Sequence, residues 1–260
     1  MKLALGIEYL GSAYCGWQRQ RHCDSVQAHV ETALSKIAAE TIEVACAGRT
    51  DTGVNAVGQV VHFVTAAQRP LRAWIDGTNT LLPDDVRIIW AQGVTDDFHA
   101  RFSAQARQYR YVIFNRAVRS AVLSNRVTSE RRPLNVELMH CAAQALIGEY
   151  DFSSFRAAEC QAAHARREVQ KLSVSRRGDM VFIDIQANAF LHHMVRNIAG
   201  TLMQIGRGDA PVEWMKTLLE LQDRTQATVT APASGLYFVN AFYPSHFAIP
   251  QVSLNEVLWQ

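Results

Sequence analysis

The sequence predicts an α+β fold made of two successive halves. Three observations carry this. Several short runs alternate apolar and polar or small residues with the two-residue period of a strand. Other stretches repeat apolar residues every three to four positions, as a helix does. The strand–helix–strand order of the first half returns in the second, with the join near 95–106.

Leu3, Leu5, Ile7 and Tyr9 alternate with Ala4, Gly6 and Glu8 and read as the opening strand. Asp24 and Gln27 resemble a capping box with Asp in place of Ser or Thr. They open a helix whose apolar face is Val26, Val30, Ala33, Leu34 and Ile37. Strands are expected at 42–47 and 59–65, a helix around 70–80 and, beyond Pro83, a strand at 86–93. In the second half Arg107 to Phe114 reads as a strand, 135–147 as a helix, and 168–176 and 180–187 as strands. Phe190 to Ile205 carries a continuous apolar stripe and reads as a helix with Gly206 at its C-cap. A shorter helix at 211–222 has Pro211 near its first turn, and Leu236 to Phe242 closes the pattern as a strand. Helices packed on one face of a mostly antiparallel sheet suit this order.

The chain has 260 residues, 48% hydrophobic and 19% charged, which excludes a collagen-like, coiled-coil or largely disordered protein. No apolar run approaches the roughly 20 residues of a membrane span. Gly6 and Glu8 interrupt the first apolar stretch, so no signal peptide is expected. The five cysteines, Cys15, Cys23, Cys46, Cys141 and Cys160, are odd in number, scattered and without a C-x-x-C pair. The expectation is a reduced, cytoplasmic protein with no disulfide framework and no zinc site.

A net charge of +2 names no partner, but its make-up is informative: 22 Arg stand against 4 Lys. Arg presents a planar fork suited to phosphate and to stacking on bases. Between Arg101 and Arg132 lie eight arginines and a single acid, Glu130. Arg156, Arg166, Arg167, Lys171, Arg176 and Arg177 form a second cluster. Both are interleaved with aromatic residues, including Phe98, Phe102, Tyr109, Phe152 and Phe155. Cations for phosphates beside flat rings for unstacked bases suit RNA; a solvated basic face is the plain alternative.

The segment Gly48-Arg49-Thr50-Asp51-Thr52-Gly53-Val54-Asn55 lies between two apolar strands. Its glycines permit tight turns, so Asp51 would stand at a strand end with Arg49 on the same side. A guanidinium there favours the ionised carboxylate; the plain alternative is a polar turn. Asp51-Thr52-Gly53 also matches the aspartic-protease triplet. That chemistry needs two carboxylates sharing a proton, there is no second such triplet, and Arg49 would oppose the sharing. In Arg107, Tyr109 and Tyr111 one strand face combines cation and rings. His192 and Arg196 are i, i+4 neighbours on the expected helix, and Gly200 would let another segment approach closely. His192-His193 lacks the H-E-x-x-H pattern and a local acid, so no metal is assigned; no phosphate-binding loop or G-x-S-x-G is present either.

Together these segments resemble the TruA-type tRNA pseudouridine synthases. Gly48 to Val54 is similar to that family's G-R-T-D-[AS]-G-V signature. Tyr14 to Gln20, Phe98 to Ala104 with Tyr109, Phe190 to Gly200, and Gly235 to Phe238 follow in family order. Asn55 stands where the family usually has His and cannot titrate; Thr52 replaces a smaller Ala or Ser.

The resemblance implies two ferredoxin-like halves sharing a mostly antiparallel mixed sheet, with helices on one face and an active-site cleft between the halves. Residues 1–97 would carry the catalytic Asp loop and 98–244 the Tyr strand and Arg helix; 245–260 has no assigned role. It further implies isomerisation of uridine to pseudouridine at positions 38, 39 and 40 of the tRNA anticodon stem-loop, with the base flipped out and no cofactor. Asp51 would be the catalytic carboxylate, attacking C1′, adding to C6 or removing the 2′ proton; the sequence does not choose. Arg49 would fill the space left by the base or hold a phosphate, Tyr109 would stack on the uracil, and Arg196 would pair with Asp51. Arg69, Phe98, His99, Arg101, Phe102, Arg107, Arg156, Arg166 and Arg167 are candidates for gripping tRNA, on charge and aromatic content more than on motif. The family is homodimeric, with one tRNA touching both subunits and no obligatory protein partner. The alternative is a tRNA-binding protein or RNA chaperone without catalysis.

Overall fold

The structure, a computed structural model, describes residues 1–160, 162–227 and 229–253. The chain forms two compact units: Met1–Arg107 together with the chain from Phe238 onward, and Gln108–Tyr237. The class is the expected α+β, with mixed, mostly antiparallel strands. Among the described residues no helix is long and apolar enough to cross a membrane.

In the first unit the strands are β1 (Lys2–Tyr9), β2 (Ala45–Cys46), β3 (Asn55–Val64) and β4 (Val86–Gly93), joined by β10 (Leu236–Phe242). Their order is β4-β1-β3-β10, with β2 paired to β3. β1 lies between β3 and β4 and is covered on both faces, so Leu3, Ala4, Leu5 and Ile7 have no exposed surface. Helix α1 (Val26–Ala38) buries Val30 and Leu34. Trp74 and Phe63 meet at 5.3 Å in the same core. The chain beyond β10 returns to this unit: Phe247 lies 5.1 Å from Phe98, and Asn240 and Val252 exchange two hydrogen bonds at 2.8 and 2.9 Å. The rest of the expected tail, 254–260, lies outside the described residues.

In the second unit β5 (Ala106–Asn115), β9 (Met180–Ala187), β8 (Arg166–Arg177) and β7 (Gly148–Asp151) follow one another, and the short β6 (Thr128–Glu130) pairs in parallel with β5. Helices α2 (Val136–Ala143), α3 (Met194–Gly206) and α4 (Trp214–Leu221) pack together, with α2 lying on β8. The core includes Tyr111, Ile113, Met139, Phe152, Phe155 and Ile198.

Strands β1, β4, β5, β9 and β10 fall where the sequence puts them. β3 begins at Asn55 rather than 59 and α2 ends at Ala143 rather than 147; further elements differ as follows. Ser25, not Asp24, is the N-cap of α1. The Asp24 carboxylate accepts from Ser25 N–H and His29, while the Gln27 amide turns to Glu31, so no capping box forms. The strand expected at 42–47 shrinks to Ala45–Cys46, which pair with His62 and Val61 of β3, while Ala47 adds one further bond to Val60. The helix near 70–80 carries a π-helical turn, Ala73–Gly77. Helix α3 starts at Met194 rather than Phe190: His193 adopts the left-handed conformation at φ 61°, which an α-helix excludes, and the His192 carbonyl accepts from Ala157 N–H. His192 therefore lies before the helix and not on its face with Arg196. Gly206 is the last residue of α3, and Gly208, at φ 79°, supplies the left-handed turn. Helix α4 starts at Trp214, three residues past Pro211. Cys15 and Cys23 are joined in a disulfide with Cα atoms 6.1 Å apart; three cysteines are free. The loop between β1 and α1 doubles back and brings together two thiols whose spacing in the chain shows no pattern.

Candidate active site

The Asp51 segment is a turn between β2 and β3 of the first unit. Val54 N–H donates to the Asp51 carbonyl at 3.1 Å, and Gly53 takes φ 78°. Asp51 is half-buried, Thr50 is buried, and Arg49 and Thr52 are exposed. The turn is braced from several sides. Trp17 N–H donates to the Thr50 carbonyl at 3.0 Å. Gly16, at φ 87°, lies so close that a Cβ there would stand 2.5 Å from that carbonyl oxygen. Asn55, fully buried, accepts Gly11 N–H at 2.8 Å, so the residue replacing the family His serves as a backbone anchor. Burial pushes the nearby Cys46 thiol up to about 11, which keeps it protonated at neutral pH.

Arg107 holds the strand leading into this turn. Its guanidinium donates to the carbonyls of Ala47 at 3.3 Å, Ala104 at 3.0 Å and Arg101 at 2.5 Å. Expected as a tRNA contact, this half-buried guanidinium is engaged with those backbone carbonyls. Phe98 is a correction. It has no exposed surface and packs between His62, Tyr243 and Phe247, leaving no face for RNA. Its neighbours do reach solvent. His62, His99 and Phe102 form a ladder of rings with centroids 4.5 and 4.4 Å apart, ending at Phe102, which is 75% exposed. The exposed Arg101 guanidinium lies 5.5 Å from the Phe102 centroid. His99 Nδ1 accepts the N–H groups of Arg101 and Phe102 and fixes this turn. Arg69 is exposed and donates to the Ile37 carbonyl at 3.3 Å.

In the second unit Tyr109 lies on β5 at 8% exposure, edge-on to Phe190 at 5.0 Å. Arg196 projects from α3 and donates to the Ala231 carbonyl at 2.8 Å. Gly200, one turn on, admits the segment at Val229, whose carbonyl oxygen would stand 2.2 Å from an added Cβ. The close approach expected of Gly200 is thus made by residues 229–231. Tyr111, expected on the same face as Tyr109, is in the core and bonded to Thr128 and the Pro232 carbonyl. Arg156 holds its loop through the carbonyls of Cys160 and Ala162; Gln161, inside the expected 156–167 loop, lies outside the described residues. Arg166 meets Glu149 at 3.1 Å, and Arg167 folds back on the His164 carbonyl at 3.0 Å. Arg116, Arg119, Arg126 and Arg131 are exposed.

The sequence reading passed over Tyr9 and Gln59, which touch the turn directly. The signal was a polar amide in the middle of an apolar run, Val57-Gly58-Gln59-Val60-Val61. Such a residue is buried with the strand and must be hydrogen-bonded there.

Comparison with known proteins gives a consistent result. The family model described as tRNA pseudouridine synthase matches residues 6–103 and 142–244. "tRNA pseudouridine synthase A" of Hydrogenovibrio crunogenus is 67% identical over 258 residues, covering 99% of this chain and 98% of its own. The protein of the same name from Glaesserella parasuis is 58% identical, covering 100% and 99%. Among solved structures, an archaeal box H/ACA sRNP Nop10–Cbf5 complex aligns at 10% identity with a TM-score of 0.37, covering 91% of this chain and 47% of that one. A match across most of the chain, with the Asp51 turn inside it, means that this chain belongs to the tRNA pseudouridine synthase family.

Proposed function

We propose that this protein isomerises uridine to pseudouridine in tRNA, at positions 38, 39 and 40 of the anticodon stem-loop, with Asp51 as the catalytic carboxylate. One observation carries the reading: within the family match, the signature carboxylate sits half-buried in a turn braced through Thr50, Gly16 and Trp17.

The reaction breaks the N1–C1′ bond, turns the detached uracil and joins C5 to C1′. N1 gains a proton and C5 releases one, so no group is added and no oxidation state changes. The nucleotide has to leave its stack first, because a stacked base exposes neither face. Asp51 acts at C1′ or C6, or removes the 2′ proton. Tyr109 stacks on the uracil and its hydroxyl assists loss of the C5 proton. Arg196 supports the carboxylate. Arg49, exposed beside Asp51, fills the space left by the base or holds a phosphate. Roles for Tyr109 and Arg196 rest on the resemblance, as does the division into a catalytic half, 1–97, and a Tyr- and Arg-bearing half, 98–244, with a cleft between them. So do the cytoplasmic setting and a homodimer that grips one tRNA with both subunits. Arg69, His99, Arg101, Phe102, Arg107, Arg156, Arg166 and Arg167 are proposed tRNA contacts, and the Phe102 platform suits an unstacked base.

The test uses unmodified tRNA tritiated at uridine C5. Wild-type protein is expected to release tritium to water and Asp51→Ala none. Mapping the product on tRNAs carrying a single uridine at 38, 39 or 40 checks the positions. Binding of tRNA without tritium release from wild type would overturn the synthase reading in favour of a non-catalytic RNA-binding protein.

A further inference from the structure

Strand β3 is buried over nearly its whole length, yet it carries two amide side chains with no exposed surface, Asn55 and Gln59. A buried amide is costly unless both its ends are bonded. Gln59 directs both ends at one residue of the Asp51 turn. Its Nε2 donates to the Gly48 carbonyl at 2.6 Å, and its Oε1 accepts Gly48 N–H at 3.4 Å. Its amide also reaches the hydroxyl of Tyr9. That hydroxyl is hydrogen-bonded to Thr50 Oγ1 at 2.7 Å. Tyr9 itself follows a register shift in β1, which pairs Ile7 with Gln59 but Tyr9 with Ala56. Bulges of this kind re-aim side chains next to functional sites. Burial pushes the Tyr9 phenol above its ordinary value, so it stays a neutral hydrogen-bond partner. Thr50, next to Asp51, and Gly48, three residues before it, are thus tied, one by its side chain and one by its backbone, to a buried pair on the strands beneath.

We propose that Gln59 and Tyr9 are positioning residues for Asp51: through Gly48 and the Thr50 hydroxyl they fix the peptide that aims its carboxylate. This rests on Asp51 being the catalytic carboxylate. Trp17 N–H holds the Thr50 carbonyl but neither the Thr50 hydroxyl nor Gly48. The Gln59–Tyr9 pair adds the hold on those two groups.

The experiment is single- and multiple-turnover tritium release by Tyr9→Phe, Gln59→Met, Thr50→Val and Thr50→Ser, with Asp51→Ala alongside. Tyr9→Phe and Gln59→Met are expected to lower kcat on the order of tenfold to a hundredfold, with KM for tRNA within about twofold of wild type. Thr50→Val loses a similar factor, and Thr50→Ser, which restores the hydroxyl, recovers most of it. The double variant Tyr9→Phe/Thr50→Val falls no further than the worse single, because the two residues share one interaction. Thermal unfolding of each variant identifies any that fail to fold; Tyr9→Phe removes one atom, so it decides the matter if Gln59→Met does not fold. Full kcat in Tyr9→Phe, or a loss that appears in KM and tRNA affinity instead, overturns the proposal. Tritium release by Asp51→Ala at the wild-type rate overturns the catalytic reading itself, and this proposal with it.

Discussion

Arg110 closes on Asp184 through two hydrogen bonds, Nε to Oδ1 at 2.7 Å and a terminal guanidinium nitrogen to Oδ2 at 2.9 Å. Both side chains are mostly covered, at 11% and 18% exposure. The guanidinium also lies 4.7 Å from the Phe182 ring centroid. This arginine belongs to the basic stretch that the sequence offers as an RNA footprint, but it ties β5 to β9. Arg110→Ala leaves a covered carboxylate without its partner and should cost about 2–4 kcal/mol of stability. Urea unfolding measures this. The slope of log affinity for tRNA against log salt should stay at its wild-type value, and a shallower slope would make Arg110 a phosphate contact after all.

Arg101 is the contrasting case, exposed and beside an exposed ring. Arg101→Ala should flatten the salt dependence of tRNA binding by about one unit, as expected for one lost phosphate contact. Phe102→Ala should weaken binding by about 1–3 kcal/mol at every salt concentration, the size of one base stacking on a ring. Filter binding between low and moderate salt separates the two. An unchanged slope for Arg101→Ala removes that residue from the interface.

His62 gives the first unit a pH dependence. Its Nδ1 accepts Ala100 N–H at 3.1 Å, an acceptor role that protonation of that nitrogen would end. Burial, with His99 and Lys2 nearby, lowers its pKa from 6.5 to about 4. The unfolded chain therefore takes up a proton near pH 6.5 that the folded chain refuses until about pH 4. Stability is complete above the upper value and falls as pH drops between the two, by about 1–2 kcal/mol once solvent screening is allowed for. Unfolding at a series of pH values should show this slope, and His62→Gln should make it shallower. An identical slope in the variant would assign the effect to other groups.

Gly200 sets the distance between α3 and the segment at Val229. Gly200→Ala places a methyl group against a backbone oxygen, which cannot swing aside as a flexible side chain would. A loss of about 1–3 kcal/mol is expected, read as a lower thermal midpoint. The same segment holds Arg196, through its Nε bond to the Ala231 carbonyl and the Ala231 N–H bond to the Arg196 carbonyl. Tritium release should therefore slow in Gly200→Ala even at temperatures where it is folded. Wild-type rate and stability together would show that 229–231 moves away freely.

Local chemistry was legible in the sequence. Strands β1, β4 and β10 announce themselves by alternation or by turn residues at their ends, because a strand's side-chain period is a property of the chain itself. The Asp51 turn was legible for the same reason: Thr50, Asp51 and Thr52 between Gly48 and Gly53 favour a tight bend, and the segment also resembles the family's signature. What each charged or aromatic side chain does was not legible. Arg107, Arg110 and Arg101 lie within ten residues of one another and look alike in the sequence. Only the fold brings backbone carbonyls to the first and a carboxylate to the second, and leaves the third in solvent. Phe98 and Phe102 divide in the same way, one under Tyr243 and Phe247 and the other open. Cys15 and Cys23 meet because their loop doubles back, and α3 starts late because the His192 carbonyl is taken by the distant Ala157 N–H. From the chain alone came most of the periodic elements, the family and the Asp51 turn. Tertiary structure decided which polar groups are bonded inside the protein and which remain for a partner, since bonds such as Arg107 to Ala47 and Arg110 to Asp184 join residues 60 and 74 positions apart.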